Sequence, residues 1–440
     1  MGEAAHIALN AIGKQDTYLL SKDPEDSFFN YKTEQHSNFR KFHRNRNVTP
    51  PSNKPNTWPF GETIKVQYNP QNMGDLLSNM YLTLTLPALE VGGNYADQVG
   101  RHILSHVKMF VDELEVETFW ADWGIIYDEL YTEMSEKVAN RFLLNRSLAF
   151  DSSEVSNNYA EYQSDVVIPL NFFFSRKFAS DEYETNQPNR PYFPVCACHK
   201  QKIEFEFTFQ PQTFFANTAT TLTLSEFDIV TEEITLNPEE RLYSKNHLGL
   251  WVTDVVMKHP SIVTNPEQTF IKNQLVPKIP VKAIHWFFRN VKFEDPAVVK
   301  SPGAYQDEGE FYIHNRFNFS SNVNFDELNT FFYPVMEKAK FYIQGTQLPN
   351  MTSTDHTFYK YYVPYEKRLS RPIRNIYSYS FSMYPVNVQP SGSLDFSQIQ
   401  SNMTTIECDL LPTEETYTMH MYYTGYQTFK FEGGFMSLAY

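Results

Sequence analysis

The chain has 440 residues, 41% hydrophobic and 16% aromatic with only 20% charged, and a formal net charge of −15. That length exceeds what one hydrophobic core usually spans, so two domains of roughly 200 residues are expected, and the wealth of Phe and Tyr favours half-buried strands over helices, giving an all-β prior. The acidic balance argues against wrapping nucleic acid, whose phosphates are bound by clustered Lys and Arg, and Cys196, Cys198 and Cys408 are too few for the disulfide framework of a secreted domain.

From the N-terminus, no basic n-region with a long apolar stretch is present and no run approaches the roughly 20 apolar residues that span a bilayer, so a soluble protein made in the cytosol is expected. Residues 1–60 are polar and rich in Asn, Pro and Arg and read as an extended arm. Arg40, Lys41, His43, Arg44 and Arg46 form a basic cluster within it, read as a solvated loop, with contact to anionic lipid or an acidic partner as the functional alternative.

Residues 61–236 carry strand patterns. Leu82, Leu84 and Leu86 alternate with Thr83 and Thr85, and Ile203, Phe205, Phe207 and Phe209 alternate with Glu204, Glu206 and Thr208. One helix is expected from about Trp123 to Leu143, where Ile126, Leu130, Met134 and Val138 recur at helical spacing. At 237–247, Asn237 as N-cap, Pro238 at the first helical position and two Glu in the first turn predict a short linker helix. Residues 248–440 return to strands: Ala339, Phe341 and Ile343; Tyr377, Tyr379, Phe381 and Met383 opposed by Ser378, Ser380 and Ser382; and Ile406, Cys408 and Leu410. With turns such as Gly74-Asp75, Gly92-Gly93 and Gly433-Gly434 between them, two antiparallel sandwiches are the natural architecture.

Candidate chemistry is thin. Cys196-Ala197-Cys198-His199 is the one cluster with a metal-like composition, but on a strand the two Cys share a face while His199 points away, so buried small side chains are the plainer reading. His102 and His106 lie four apart in a context that reads as strand, without the Glu of a metalloprotease. No HxH pair, GxSxG elbow, P-loop or Rossmann fingerprint is present, so neither a catalytic residue nor a cofactor is assigned, and Asp and Glu on strands are read as a solvated face. Sequons occur at Asn47, Asn145, Asn318, Asn350 and Asn402; most are expected to be bare.

The stretch Ile376-Tyr-Ser-Tyr-Ser-Phe-Ser-Met-Tyr-Pro385, continuing through Gln389-Pro-Ser-Gly-Ser-Leu-Asp-Phe-Ser397, closely resembles the signature of major capsid proteins of nucleocytoplasmic large DNA viruses, phycodnaviruses and iridoviruses included. Similar motifs follow in order: Gly13 to Leu19 with Ser27-Phe-Phe29 and Asn38-Phe39, Gly74 to Leu77, Ile168 to Arg176, Leu236 to Arg241, Pro280 to Phe288, and Gly433 to Tyr440. The departures are Gln398 where the family usually has Arg and Asp395 where Asn is common.

The resemblance implies two tandem eight-stranded antiparallel jelly rolls, and a pseudo-hexameric homotrimer that packs against neighbouring capsomers in an icosahedral shell. It implies a virion protein assembled in the host cytoplasm, whose inner face meets minor capsid proteins or an internal viral membrane, with no enzyme activity and no direct nucleic acid contact. Within the signature, Tyr379, Phe381, Pro385, Pro390, Ser391, Gly392, Ser393, Phe396 and Ser397 are expected to be architectural: Pro ending a strand, Gly forming a turn, and Ser391, Ser393 and Ser397 bridging loop backbone. A minor capsid paralogue and a carbohydrate- or receptor-binding sandwich, the latter suggested by the many Tyr and Trp, are the competing readings.

Overall fold

The computed structural model describes residue 13 and residues 37–52, 56–90, 95–96, 98–144, 164–176, 192–216, 220–294, 316–321, 333–352, 354–387, 390–399 and 403–439. In its first half, strands β1 (Arg40–Val48), β2 (Thr63–Tyr68), β3 (Leu76–Leu86), β4 (Leu104–Val111), β5 (Leu114–Trp120), β6 (Ser164–Pro169), β7 (Ile203–Phe209) and β8 (Phe227–Thr235) form two four-stranded sheets. Their orders are β1-β8-β3-β6 and β2-β7-β4-β5, with every pairing antiparallel. Alternation builds the core directly: Ile203, Phe205, Phe207 and Phe209 are buried, while Glu204, Glu206 and Thr208 remain partly exposed.

The second half repeats the plan. Strands β9 (Gly249–Lys258), β10 (Ile262–Val263), β11 (Phe270–Gln274), β12 (Pro280–Asn290), β13 (Met336–Ile343), β14 (Thr346–Leu348), β15 (Tyr377–Ser380), β16 (Leu394–Asp395), β17 (Thr404–Leu410), β18 (Tyr417–Glu432) and β19 (Phe435–Leu438) give one sheet ordered β10-β18-β12-β15 and another ordered β11-β17-β13-β14. Strands β9 and β19 add to β18, and β16 adds to β12. Each half thus carries the same weave, the double jelly roll.

Between the halves, α4 (Pro238–His247) begins as its sequence predicts, with Pro at the first turn followed by Glu239 and Glu240. Arg241 of this helix meets Asp75 at 2.8 Å, and the Leu236 N–H donates to the other Asp75 oxygen at 2.9 Å, so one carboxylate fixes how the linker leaves the first barrel.

Four expectations are corrected here. Residues 40–48 are not part of an arm but the first strand, paired in register with β8 from Arg40–Thr235 to Val48–Phe227. An edge strand with both faces partly wet lacks apolar alternation and therefore reads as a loop. The single helix over 123–143 is two, α2 (Ala121–Leu130) and α3 (Met134–Leu144). The break is tertiary: Ser370, from the second half, donates its N–H to the Leu130 carbonyl at 2.7 Å and its hydroxyl to the Thr132 carbonyl, satisfying groups a continuous helix would have used. Finally, Val195–Cys198 is a 3-10 turn and not a strand, and His102 sits in a short helix, α1 (Val99–Ile103).

Candidate functional site

Among the described residues, buried charged side chains gather at the seam between the two barrels. Helix α2 is buried on nearly all its faces, and Trp123 packs against His285 and Tyr422 of the second barrel, with ring centroids 5.9 and 6.2 Å apart. Buried charges surround it. Glu117, on β5, accepts from the N–H of Phe173 at 2.8 Å and of Val256 at 3.1 Å and pairs with Arg176. Lys282 pairs with Asp254, both within the second barrel, while Arg176 also donates to the Asp254 carbonyl at 3.3 Å.

A second cluster lies around Asp122, whose carboxylate meets Arg289 at 2.5 Å and accepts from the Tyr422 hydroxyl at 3.4 Å. Arg289 also reaches Glu294 at 3.2 Å, and Glu294 meets His420 at 2.5 Å. Burial alone would raise the Glu294 carboxyl, but the positive charge of Arg289 and the His420 hydrogen bond outweigh it and hold it down at about 2. A third cluster joins Glu129 to Arg374 at 2.5 Å and to the Ile373 N–H at 2.6 Å. His285 closes the seam as a neutral ring between the Tyr131 and Ser378 hydroxyls, each 2.8 Å away. Burial first, and the charge of Lys282 second, push its pKa down to about 3.

Asp and Glu on strands were expected to face solvent, yet Glu117 and Asp254 are buried, as are Asp122 and Glu129 on α2 and the cations Lys282 and Arg289 on β12. For Glu117, Asp122 and Glu129 the reason is the second half, whose Val256 N–H, Arg289 and Arg374 they meet, and pairing offsets desolvation. A partial signal exists in the sequence, since Lys282 and His285 interrupt an otherwise apolar run from Val281 to Phe288 and Arg289 ends it.

The signature segment is a loop with a hydroxyl at its centre. Strand β15 stops at Ser380, five residues before Pro385, because the Lys282 carbonyl accepts from both Phe381 N–H and Ser382 N–H, at 2.8 and 3.1 Å. Proline therefore does not end the strand. Ser391 Oγ lies 2.6 Å from Ser382 Oγ, accepts from the Tyr384 N–H at 2.9 Å and donates to the Tyr384 carbonyl at 3.2 Å. Gly392 has φ +128°, and a Cβ there would lie 3.2 Å from the Phe381 carbonyl. Tyr379 stacks on Phe341 at 4.9 Å, and Phe381 meets Phe396 edge-on at 5.8 Å. Pro385 is buried; Pro390, Ser393 and Ser397 are exposed. Asp395 accepts from the Ser397 N–H at 2.9 Å, a role in which a carboxylate serves as well as an Asn amide oxygen.

Part of the basic cluster is paired with carboxylates of the same chain. Lys41 and His43 meet Glu232 at 2.9 and 3.3 Å, Arg44 meets Glu233 at 2.9 Å, and Arg46 donates to the Gln67 carbonyl and lies over the Tyr68 ring. Arg40 pairs with Thr235 in register.

The sulfur and histidine candidates are dispersed or inert. Cys196 and Cys198 are buried, and burial pushes the Cys196 thiol up to about 11 and the Cys198 thiol higher still. His102 lies against Phe317 and His106 against Trp120, at 4.4 and 4.9 Å, on either side of a helix-to-strand junction. Among the sequons, Asn318 is only 3% exposed and its side-chain oxygen accepts from the Ser320 N–H, so a glycan there is incompatible with the fold. Asn47 is exposed but donates to Asp228, Asn350 is exposed in a loop, and Asn145 and Asn402 lie outside the described residues.

Comparison with known proteins agrees with this geometry. Residues 239–432 match the model of the large eukaryotic DNA virus major capsid protein family, and residues 27–245 match that of the major capsid protein N-terminus. The major capsid protein of Paramecium bursaria Chlorella virus 1 is 21% identical over an alignment spanning 98% of each chain. That of Pyramimonas orientalis virus is 25% identical over 172 residues, 39% of this chain and 40% of that protein. In three dimensions the chain superposes on the PBCV-1 VP54 capsid protein with a TM-score of 0.71 at 16% identity, covering 94% of this chain and all of that one. It matches the Faustovirus major capsid protein with a TM-score of 0.63 at 12% identity, over 98% of each. With adjoining family models covering both barrels and the linker, and the same double jelly roll beneath them, the chain belongs to the major capsid proteins of the nucleocytoplasmic large DNA viruses.

Proposed function

We propose that three copies of this chain form a homotrimer with a pseudo-hexagonal outline, the capsomer from which an icosahedral virion shell is tiled. The observation that carries this reading is the repeated strand order, two like barrels in one chain held side by side by a buried seam. Three such chains present six similar barrels, and one interface type can then be reused around the ring and across the lattice. The working units are residues 61–236 with β1 added to them, the linker 237–247, and residues 248–440. On this reading the chain acts by packing and performs no catalysis. Its loops at one end form the shell exterior, and those at the other meet minor capsid proteins or an internal membrane. The signature segment serves as architecture near a barrel end, and Asn350 is the sequon placed to accept a sugar.

Light scattering on the purified chain tests this. A particle three times the mass of the 51.5 kDa chain, with a hexagonal outline in negative stain, is expected. A stable monomer at micromolar concentration overturns it.

A further inference from the structure

A groove of about 560 Å3 opens where the two barrels meet, at the end from which β8 leaves and β9 enters. Three separate segments line it. The turn after Cys198 contributes His199 and Lys200, the last turn of α4 contributes Lys245 and His247, and the end of β18 contributes Lys430 and Glu432. Three ammonium groups and two imidazoles therefore share one space with a single carboxylate, in a chain whose net charge is −15.

The wall of this groove is built rather than incidental. The Lys200 N–H donates to the Gly434 carbonyl at 3.2 Å, the Lys200 ammonium lies 5.3 Å from the centre of the Phe435 ring, and His199 is tied to the Cys196 carbonyl at 3.1 Å. Gly434 has φ +91°, and a Cβ there would come within 2.7 Å of the His199 ring, so glycine alone permits this approach. The C-terminal end of α4 favours cations, which accounts for Lys245 and His247. It does not account for Lys200 and Lys430, which arrive from the other two segments. Glu432 is spent on Lys430, 2.5 Å away, where both side chains are exposed to solvent and the pair is open to exchange with another carboxylate.

We propose that this groove docks an acidic polypeptide segment, whose carboxylates meet Lys200, Lys245 and Lys430. The shape favours a peptide over a membrane: Lys245 is half-buried and Gly434 buried, so single side chains can enter where a flat bilayer cannot follow. Lysines attract oxyanions as point charges without the fixed fork of arginine, so the contact tolerates varied acidic sequences and weakens with salt.

The test uses the full chain and a fluorescently labelled decaglutamate peptide, followed by anisotropy at low and physiological salt. The wild type should bind, and the triple variant Lys200→Ala, Lys245→Ala, Lys430→Ala should bind at least about tenfold more weakly. Lys200→Ala and Lys430→Ala, each at an exposed position, give the same comparison singly should the triple variant melt early. Equal binding by variants and wild type overturns the proposal. So does cosedimentation with phosphatidylserine vesicles in the absence of peptide binding, which would make the groove a lipid contact, and so does binding of inorganic phosphate alone, which would reduce it to an ion seat. Particle mass is read separately, so failure here is distinguishable from failure to trimerise.

Discussion

Gln201, in the first barrel, and Met436, in the last strand of the second, exchange two hydrogen bonds: the Met436 N–H donates to Gln201 Oε1 at 2.5 Å, and Gln201 Nε2 donates to the Met436 carbonyl at 3.3 Å. One amide side chain here imitates a strand partner for the β18–β19 hairpin. Because Gln201 is largely buried, Gln201→Ala leaves backbone groups without partners, at a cost of about 1–3 kcal/mol. Hydrogen exchange should show the loss concentrated in 435–439, with β12 protected as before.

At Glu117 and Arg176, removing either partner strands a buried charge. Arg176→Met alone should destabilise by about 3–5 kcal/mol. The double variant Glu117→Leu, Arg176→Met should cost less than the two single changes added together, because no charge is left unpaired. It should not be neutral, since Phe173 and Val256 would still lose an acceptor for their N–H groups. Urea midpoints for the four proteins of this cycle decide the matter.

Acid should loosen the seam in two stages. His285 has its folded pKa depressed to about 3 from 6.5, so its contribution is fully present above about pH 6.5 and is lost as pH falls from there towards 3. Glu294, depressed to about 2 from 4.5, contributes above about pH 4.5 and loses that contribution as pH falls towards 2. Melting temperatures between pH 7.5 and 3 should therefore fall less steeply for His285→Gln than for the wild type below about pH 6.5. For Glu294→Gln the flattening should begin only below about pH 4.5. Parallel curves for wild type and both variants would refute this assignment.

Ser391→Ala removes the hydroxyl that joins Ser382 to both backbone groups of Tyr384. A loss of about 1–3 kcal/mol is expected, confined to the loop after β15. Ser391→Thr keeps the hydroxyl and should retain most of the stability. Limited proteolysis between Phe381 and Phe396 should be faster in the Ala variant only.

Much of the fold is legible in the chain because most strands have one wet and one dry face. Ile203 to Phe209 alternates without error, and Asn237-Pro238-Glu239-Glu240 announces a helix start by local chemistry alone. Strand β12 is different: nearly every residue from Val281 to Asn290 is buried, so its pattern is a continuous run and its two charges look misplaced until Asp254 and Asp122 are seen beside them. Strand β1 hides for the opposite reason, since Arg44 and Lys41 are matched by acids on β8, almost two hundred residues away in sequence. The seam is the least legible part. A glutamate on a strand carries no local mark that another barrel will cover it, and the helix break after Leu130 depends on a serine that lies far along the chain.

That separation in sequence also orders events during synthesis. Asp122 waits 167 residues for Arg289 and 300 for Tyr422, and Glu117 waits 139 for the Val256 N–H. A nascent first barrel therefore leaves the ribosome with ionised, hydrated groups on the face destined to be covered. Glu117 already has Arg176 within the first half, whereas Asp122 is held by water until Arg289 is made. Asp122 and Glu129 gain their cations only once Arg289 and Arg374 are made, so a chain that stops before them keeps two unpaired carboxylates on that flank.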